Sequence, residues 1–248
     1  MEELRNINIS GTGKINGGKF AEVSISGLGQ ILSDLEANRI EISGMGTIKG
    51  NVKTQRFLTS GNGTVEGLLE GSDLDTSGNF KVNGPVNVKE IRIQGRNRFN
   101  DSVKAEKITC TGYLSVGKDL ETEDFRCSGS FAVEGLLNAN KVEIEINGFC
   151  YAREIGCEEI RVEKSSSMVP LHFLHKLITP FLGPKRELNK LTANVLEGTI
   201  VNICDTQAKI VRGNKVRIGP GCNIGVVEYS EELEVDEEAV VEKQILIS

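Results

Sequence analysis

A glycine recurs with a 17-residue period through the first half of the sequence, and this spacing constrains the fold more than any other feature. The series is Gly27, Gly44, Gly61, Gly78, Gly95, Gly112 and Gly129. Gly11 stands one position too close to Gly27 for this period and continues the series with one residue missing. A fixed period of this length, with short apolar runs around each glycine, is typical of a solenoid built from stacked coils.

The residues around each glycine alternate between apolar and polar. We number each 17-residue unit so that position 1 is its first large apolar residue: Val23, Ile40, Phe57, Leu74, Ile91, Ile108 and Phe125. Positions 3, 9 and 13 are mostly apolar and position 15 is mostly small, whereas the even positions are mostly polar. A period of two predicts strands, since a helix requires a period of 3.6. A unit of this length accommodates three short strands, so we predict an all-β, three-sided parallel β-helix.

The glycine at position 5 of each unit is interpreted as a coil corner. A sharp corner often needs a positive φ, which glycine adopts without a steric penalty. A partial second ladder at position 11, which includes Gly50, Gly67 and Gly84, indicates another corner. Pairs such as Gly27-Leu-Gly29 are followed by no helical pattern, so they do not predict a phosphate-binding loop.

The regular pattern ends after Lys141, and three segments are expected. Residues 1–164 form the β-helix with 17-residue coils, 165–190 an amphipathic helical insertion, and 191–248 further β coils that either continue the stack or do not. The apolar residues of the helix occupy one half of a helical wheel: Leu171, Phe173, Leu174, Leu177, Ile178, Phe181 and Leu182. This face packs on the β-helix, docks on a membrane surface or binds a partner. Leu188, Leu191 and Val195 have the spacing of a second, shorter helix.

Composition excludes several classes of function. The formal net charge is −6, which disfavours nucleic acid as a partner. The first residues lack the apolar segment of a signal peptide, and six cysteines occur without a CxxC pair, so we expect reduced thiols in the cytoplasm. The only histidines, His172 and His175, have no further ligands at metal-binding spacing. We expect no metal, no cofactor and no catalytic residues, and we interpret the acidic run from Glu231 to Glu238 as a solvated face.

One short run carries a remote enzymatic alternative. Residues 216–226 (VRIGPGCNIGV) look like a hexapeptide repeat of left-handed β-helix acyltransferases. The run is little longer than one hexapeptide, and no histidine follows it to act as a general base.

The repeat text resembles that of the bactofilins, the polymer-forming bacterial cytoskeletal proteins. The residues that carry the resemblance are 40–54 (IEISGMGTIKGNVKT) and 125–139 (FRCSGSFAVEGLLNA). The resemblance covers residues 7–162 and is a repeat pattern rather than a catalytic signature. It implies a right-handed β-helix that polymerises end to end without nucleotide, often at a membrane. The helical insertion and the irregular last part of the chain depart from the family's pattern.

A β-helix ends in open strand edges that must be capped or paired. The first coil contributes Ile7, Ile9, Ile15 and Phe20 without a recognisable cap, and we predict that this end mediates head-to-tail self-assembly. The expected partners are further copies of the chain or a related bactofilin, with peripheral membrane contact left open. The alternative is a β-solenoid adaptor that does not polymerise and uses the helix to bind another protein or a second bactofilin-like chain.

Overall fold

The computed structural model describes residues 4–164 and 188–247, and within these ranges the regular secondary structure consists of strands without a helix. The chain divides into two compact units, Met1–Thr122 (unit 1) and Glu123–Ser248 (unit 2). The strands of unit 1 are β1 (Ile7–Ile9), β2 (Thr12–Ile15), β3 (Gly18–Ile25), β4 (Leu28–Ile31), β5 (Leu35–Ile42), β6 (Met45–Ile48), β7 (Val52–Thr59), β8 (Asn62–Val65), β9 (Leu69–Thr76), β10 (Asn79–Val82), β11 (Val86–Ile93), β12 (Arg96–Phe99), β13 (Val103–Lys104), β14 (Lys107–Cys110) and β15 (Tyr113–Val116). β16 (Leu120–Cys127) spans the boundary, and unit 2 continues with β17 (Ser130–Ile146), β18 (Phe149–Lys164), β19 (Lys190–Ile203), β20 (Thr206–Ile218), β21 (Asn223–Val235) and β22 (Val240–Leu246).

Unit 1 is a parallel β-solenoid, as the repeat predicts. β5 pairs in parallel with β3 on one side and β7 on the other, and β6 pairs in the same way with β4 and β8. Leu35 lies opposite Val52, one full period later in the sequence, so one repeat makes one coil. The repeat length in the sequence therefore equals the number of residues between paired positions of successive coils.

Each coil contributes three stretches of paired backbone. In one coil these are 35–37, 39–42 and 45–48, which pair with 52–54, 56–59 and 62–65 of the next. The first two stretches belong to one strand, and the pairing skips the residue between them. A three-sided, right-handed winding remains a prediction.

The core of unit 1 contains one inward-facing position that the sequence analysis missed. Side chains at positions 1, 3, 9, 13 and 15 face inward as predicted, and Ile40, Ile42 and Ile48 are fully buried. Position 7 is also buried in every coil from β4 to β15: Gly29, Gly46, Gly63, Phe80, Asn97 and Leu114. The polar member, Asn97, donates a hydrogen bond from Nδ2 to Thr76 Oγ1 at 2.7 Å. Position 7 was missed because its first three residues are glycines, which show no apolar signal.

The glycine ladder does lie at bends, but the reason predicted for it is wrong in unit 1. Gly44 joins β5 to β6, and none of the glycines from Gly27 to Gly112 in this ladder has φ in the left-handed region. Instead, a Cβ built on Gly44 would lie 2.3 Å from the carbonyl oxygen of Gly27 in the preceding coil. That oxygen accepts a hydrogen bond from the Met45 amide at 2.9 Å. Glycine is needed because successive coils touch through their backbones at this bend.

The second ladder follows the same rule and adds side-chain hydrogen bonds. A Cβ on Gly50 would meet the Asp34 amide nitrogen at 2.3 Å. Asp34 Oδ1 accepts a hydrogen bond from the Asn51 amide at 2.7 Å, and Asn51 Oδ1 accepts one from the Leu68 amide at 2.9 Å. Short polar side chains at this bend thus satisfy backbone donors of the next coil.

Unit 2 is also a parallel β-solenoid, with longer and less regular strands. β18 pairs with β17 and β19, and β20 pairs with β19 and β21. Residues after 190 therefore stack directly on those before 164, which the sequence had left open. The shorter helix predicted from Leu188, Leu191 and Val195 is wrong, because β19 begins at Lys190 and pairs along its length. Gly198 of β19 and Gly213 of β20 lie within these strands and pair with each other.

Left-handed backbone occurs at one stacked corner of unit 2. Gly148 has φ 122°, Asn189 has φ 59°, Asp205 has φ 43° and Gly221 has φ 72°. These residues each lie between two successive strands in the series from β17 to β21. The Asn189 amide donates a hydrogen bond to the Gly148 carbonyl at 2.8 Å. Asn and Asp tolerate this conformation better than most residues. Asn189 and Asp205 can therefore occupy the corner positions that are glycines in the other coils.

The segment 165–187, which contains nearly all of the predicted amphipathic helix, lies outside the described residues. In the sequence, this segment lies between β18 and β19. Leu137 of β17 pairs with Ile155 of β18, whereas Ile155 pairs on its other side with Leu196 of β19, much further along the sequence. If the segment 165–187 were removed, Ile155 and Leu196 would be separated by the same number of residues as Leu137 and Ile155.

We therefore expect a chain that lacks residues 165–187 to keep the solenoid of unit 2. Lys164 would be followed by Leu188 and Asn189, a two-residue link like Asn147-Gly148. Far-UV circular dichroism should retain its strand signal, and the melting temperature should change by less than about 5 °C. Loss of cooperative unfolding would show that this segment is part of the coil. Removal of residues 191–203, which form most of β19, is the control that should destroy unit 2.

Candidate self-assembly edges

The N-terminal edge, defined as residues 4–22, is an open side of the sheet in unit 1. β1 pairs only with β3, and β2 pairs only with β4 among the described residues. Residues 18–20 and 22 of β3 pair with β5, whereas β1 covers only residues 23–25. The Ala21 amide donates a hydrogen bond to the Arg5 carbonyl oxygen at 3.0 Å. β1, β2 and residues 18–20 of β3 have no strand on their outer side in the described chain.

The four residues predicted for this end all lie on the N-terminal edge, but they are not equally accessible. Ile9 is 8% exposed and Phe20 is 4% exposed. The guanidinium carbon of Arg5 lies 5.7 Å from the centre of the Phe20 ring and covers it. Ile7 and Ile15 remain half-buried, and Leu4 is 45% exposed. Ile7, Ile15 and Leu4 thus provide the apolar surface that another molecule could reach.

The C-terminal edge, defined as residues 230–247, is an open side of the sheet in unit 2. β22 pairs with β21 over residues 223–229, and residues 230–235 of β21 have no partner on their outer side among the described residues. Four apolar side chains of this edge are exposed: Val235, Val240, Leu246 and Ile247. Val240 and Leu246 are the most exposed, at 58% and 65%.

Sequence reasoning missed the C-terminal edge. It interpreted the acidic run from Glu231 to Glu238 as a solvated face. The acidic residues of this run are exposed, yet β21 extends to Val235. The sequence does contain a signal for this edge, the apolar residues between Val240 and Ile247. These residues alternate with polar ones only in part, so the strand pattern is weak.

Open edges of parallel sheets have a definite chemical capacity. Each presents unpaired N–H and C=O groups that can bind another strand, and natural sheets usually cover or block such edges. Addition of a strand from another molecule satisfies these groups, while apolar side chains beside the edge add buried surface. The described residues thus contain two surfaces of the kind that supports strand-to-strand association.

Other predicted features contribute little to a site. The apolar helix residues from Leu171 to Leu182, together with His172 and His175, lie outside the described residues. No helix among residues 4–164 and 188–247 is long and apolar enough to cross a membrane. The same residues contain no group of three or more His, Cys, Asp or Glu side chains that could hold a metal ion.

The hexapeptide-like run forms a corner between β20 and β21. Gly219, Pro220 and Gly221 make the turn. Cys222 is buried, and its Sγ lies 3.5 Å from the Ile203 carbonyl oxygen. Burial raises the pKa of the Cys222 thiol to about 11, so this thiol is protonated near neutral pH.

A shallow groove of about 340 Å³ lies on unit 2 around Cys157 and is lined by Leu136, Val195 and Glu197 among others. The Cys157 Sγ lies 3.6 Å from the Glu197 carbonyl oxygen. The pKa of the Cys157 thiol is raised from 9.0 to about 12, mainly by burial and secondly by the nearby Glu159 carboxylate. A protonated thiol is a poor nucleophile and a poor metal ligand.

We expect Cys157 to be alkylated slowly in the folded protein. At pH 8, iodoacetamide should modify it more than about a hundredfold more slowly than in the urea-unfolded chain, because the thiolate fraction falls with the raised pKa. Peptide mass spectrometry measures the rate for each cysteine. Because the folded pKa exceeds the unfolded value, the stability contributed by Cys157 is present below pH 9 and is lost as pH rises toward 12. Equal rates in both states would contradict burial of this thiol.

The fold and its edges define a class, a parallel β-solenoid with open strand edges. No family model matches the chain, and no solved structure matches it. The chain is 42% identical over 111 residues to YhbE of Bacillus subtilis (strain 168), described as an uncharacterized protein, and this stretch covers 44% of the chain and 42% of YhbE. YhbF of the same organism, also described as uncharacterized, is 32% identical over 111 residues, covering 44% of the chain and 41% of YhbF. The chain thus spans about two fifths of the length of these relatives.

Proposed function

We propose that this chain is a structural, self-assembling scaffold whose copies polymerise end to end without nucleotide, as in bactofilins. The observation that carries the proposal is the pair of open parallel edges, each with unpaired backbone and exposed apolar side chains. Leu4 is 45% exposed on the N-terminal edge, and Leu246 is 65% exposed on the C-terminal edge. Burying such residues against a second copy would contribute about 25 cal/mol for each Å² of apolar surface removed from water.

The finer geometry of the coil belongs to the same proposal. We propose a three-sided, right-handed winding, supported by the three paired stretches in each coil of unit 1. A cytoplasmic location is supported by the cysteines, since none of the six forms a disulfide. The polymer would act as a scaffold in the cytoplasm, with membrane contact as an additional property to be tested.

Sedimentation velocity and negative-stain microscopy of the purified chain test self-assembly directly. Without added nucleotide, we expect the mean sedimentation coefficient to rise with protein concentration and elongated polymers to be visible. Leu4→Asp and Leu246→Asp should each lower the polymer mass at least about tenfold, because a charge would be placed in an apolar contact. Met45→Lys is the matched control, since Met45 is 53% exposed on unit 1 outside both edges.

The result that would overturn the proposal is a monomer at every concentration tested. A monomer that binds another protein would support the adaptor alternative instead. Vesicle flotation of the polymer tests membrane contact separately, since its outcome does not affect self-assembly. Unchanged polymer mass in both Asp variants would move the contact away from the two edges.

A further inference from the structure

One face of unit 1 differs from the others in its charges. We define the cationic face as positions 6, 8 and 10 of the six coils between Leu28 and Gly117. These positions are the outward side chains of β4, β6, β8, β10, β12 and β15 and the residue after each strand. Side chains alternate along each strand, so that Arg96 and Arg98 are exposed while Asn97 between them is buried. Since neighbouring coils lie about 4.8 Å apart, the face is about 24 Å long.

The cationic face has a formal charge of +3. It carries four basic residues and one acidic residue: Lys49, Lys81, Arg96, Arg98 and Glu66. Counting the repeat before and the repeat after adds Lys14 and Glu134, which leaves this charge unchanged. Residues 1–122 as a whole contain 15 basic and 15 acidic residues and have a formal charge of zero. The excess of positive charge is thus a property of this face and not of unit 1 in general.

The four basic side chains of the cationic face are available to a partner. All four are exposed, and none of them makes an ion pair within the described chain. The guanidinium carbon of Arg96 lies 5.5 Å from the centre of the Tyr113 ring, which is on the same face and carries no negative charge near neutral pH. The positive charge of the face is therefore not neutralised by described carboxylates.

Neighbouring coils interact differently on the other faces of unit 1. At position 14, Lys104 Nζ lies 2.7 Å from the Glu121 carboxylate of the next coil, so that cation is already paired. On the cationic face, neighbouring coils are connected by amides instead, and Asn79 Nδ2 donates a hydrogen bond to Asn62 Oδ1 at 2.9 Å. These amides brace the surface without adding negative charge to it.

The cationic face also carries exposed apolar side chains at one end. Leu28 is 46% exposed, Leu32 is 42% exposed and Met45 is 53% exposed. Leu28 and Met45 lie opposite each other on neighbouring strands, and Leu32 belongs to the same coil as Leu28. Single exposed apolar residues are normal on a protein surface, whereas adjoining ones indicate a contact surface. The face thus combines adjoining apolar side chains with unpaired cations.

We propose that the cationic face of unit 1 docks on the surface of an anionic lipid bilayer. Basic side chains near such a surface are attracted by the lipid phosphates, and large apolar side chains enter the boundary between headgroups and acyl chains. The formal charge of −6 on the entire chain does not prevent this contact, because a surface responds mainly to charges within about 8 Å at physiological salt. The inference assigns a face to the membrane contact that the proposed function leaves to be tested, and it does not require self-assembly.

The main alternative occupant is an acidic segment of another protein. Such a segment would pair with Lys81, Arg96 and Arg98 but would not need the apolar end of the face. A bilayer uses both, because its interface has a charged layer above an apolar one. Substitutions of Leu28 and Met45 therefore distinguish the two occupants, whereas substitutions of the cations affect both.

Vesicle flotation of the full chain tests the charge of the face. The wild type should float with vesicles of phosphatidylcholine that contain about 30% phosphatidylglycerol and should not float with phosphatidylcholine alone. Lys81→Glu/Arg98→Glu changes the formal charge of the face from +3 to −1 and should lower the partition coefficient at least about a hundredfold, since each basic residue near such a surface contributes about fivefold. Lys53→Glu/Lys89→Glu is the matched control. It changes the net charge equally at exposed positions outside the face, and it should float like the wild type.

Further variants test the apolar end and separate this face from the predicted amphipathic helix. Leu28→Ser/Met45→Ser should lower the partition coefficient about tenfold, because less apolar surface enters the interface. A chain that lacks residues 165–187 should float like the wild type. Circular dichroism and melting temperature must match the wild type in each variant. If Lys81→Glu/Arg98→Glu melts lower, Lys81→Gln/Arg98→Gln replaces it, with a face of formal charge +1 and an expected loss of about 25-fold.

Four results would overturn the inference. The first is a wild type that does not bind the anionic vesicles or binds phosphatidylcholine equally well. The second is an equal loss in Lys53→Glu/Lys89→Glu, which would show that only net charge matters. The third is loss of flotation in the chain without residues 165–187 together with unchanged flotation in Lys81→Glu/Arg98→Glu. The fourth is full flotation of Leu28→Ser/Met45→Ser, which would favour an acidic partner.

Failure of this inference is distinct from failure of the proposed function. Sedimentation velocity without lipid measures self-assembly, and flotation measures docking. A chain that stays monomeric would refute the polymer, yet it would still carry the cationic face and could be tested on vesicles. A chain that polymerises but does not float would refute docking through this face and leave the polymer in place.

Discussion

Replacing Gly78 by alanine should destabilise unit 1 by about 3 kcal/mol or more. A Cβ on Gly78 would lie 2.1 Å from the carbonyl oxygen of Gly61 and 2.5 Å from that of Ser60. Both are backbone atoms of the preceding coil, and the Gly61 oxygen is fixed by a hydrogen bond from the Asn79 amide at 2.9 Å. The Gly61 oxygen cannot move away without breaking this hydrogen bond between coils. Urea unfolding followed by circular dichroism measures the loss.

Gly11→Ala is the matched control, since Gly11 belongs to the same ladder but lies in the first coil of the described chain, directly after β1. A Cβ on Gly11 would meet no atom within 4 Å. Alanine there should be neutral or should stabilise by about 0.4–1 kcal/mol, because it restricts the unfolded chain. Similar losses for both substitutions would show that backbone conformation, rather than contact between coils, requires the glycines. Hydrogen exchange around residues 60–80 would show whether unfolding stays local, as in other solenoids.

The period and strand alternation were readable from the sequence because every coil of unit 1 has the same geometry. Residues one period apart occupy the same place, as Leu35 and Val52 do, so each apolar choice is repeated and the repeats reinforce one another. The physical origin of the ladder was not readable. A glycine at a bend indicates either left-handed backbone or close approach, and the sequence does not distinguish them. Unit 1 uses close approach, whereas unit 2 uses left-handed backbone at Gly148 and Gly221.

Of the two candidate self-assembly edges, only the N-terminal edge could be predicted from the sequence. The first coil kept the phase of the repeat, so Ile7 and Ile15 could be placed on an edge from the spacing of the residues alone. Their burial relative to Ile9 depends on tertiary contacts, which the repeat does not specify. The last coil had lost the phase, since register shifts occur between Gly213 and Lys215. Without a register, Val240 and Leu246 could not be assigned to an edge.

At position 7 of unit 1, a large side chain in one coil fills the space beside a glycine in the neighbouring coil. In the coil of β7 and β8 this position is Gly63, and in the next coil it is Phe80. The Phe80 ring occupies the space above the glycine, and a Cβ on Gly63 would lie 2.8 Å from Phe80 Cδ2. The ring centre of Phe80 lies 4.9 Å from that of Phe57 and 6.4 Å from that of Phe99. The glycine and the phenylalanine thus form one packing unit.

This packing predicts that the effect of Gly63→Ala depends on residue 80. Alone, Gly63→Ala should destabilise, since the ring must shift, and Phe80→Ala should cost about 3–5 kcal/mol by leaving a cavity. In the Phe80→Ala background, Gly63→Ala should become neutral or stabilising, because its methyl group enters the vacated space. The coupling free energy of the double-mutant cycle, measured by urea unfolding, should be about 1–3 kcal/mol. Gly46→Ala should add independently to Phe80→Ala, since its Cβ would meet Ile42 and Ile25 rather than the ring. If Gly63→Ala cost the same in both backgrounds, the two residues would not share this space.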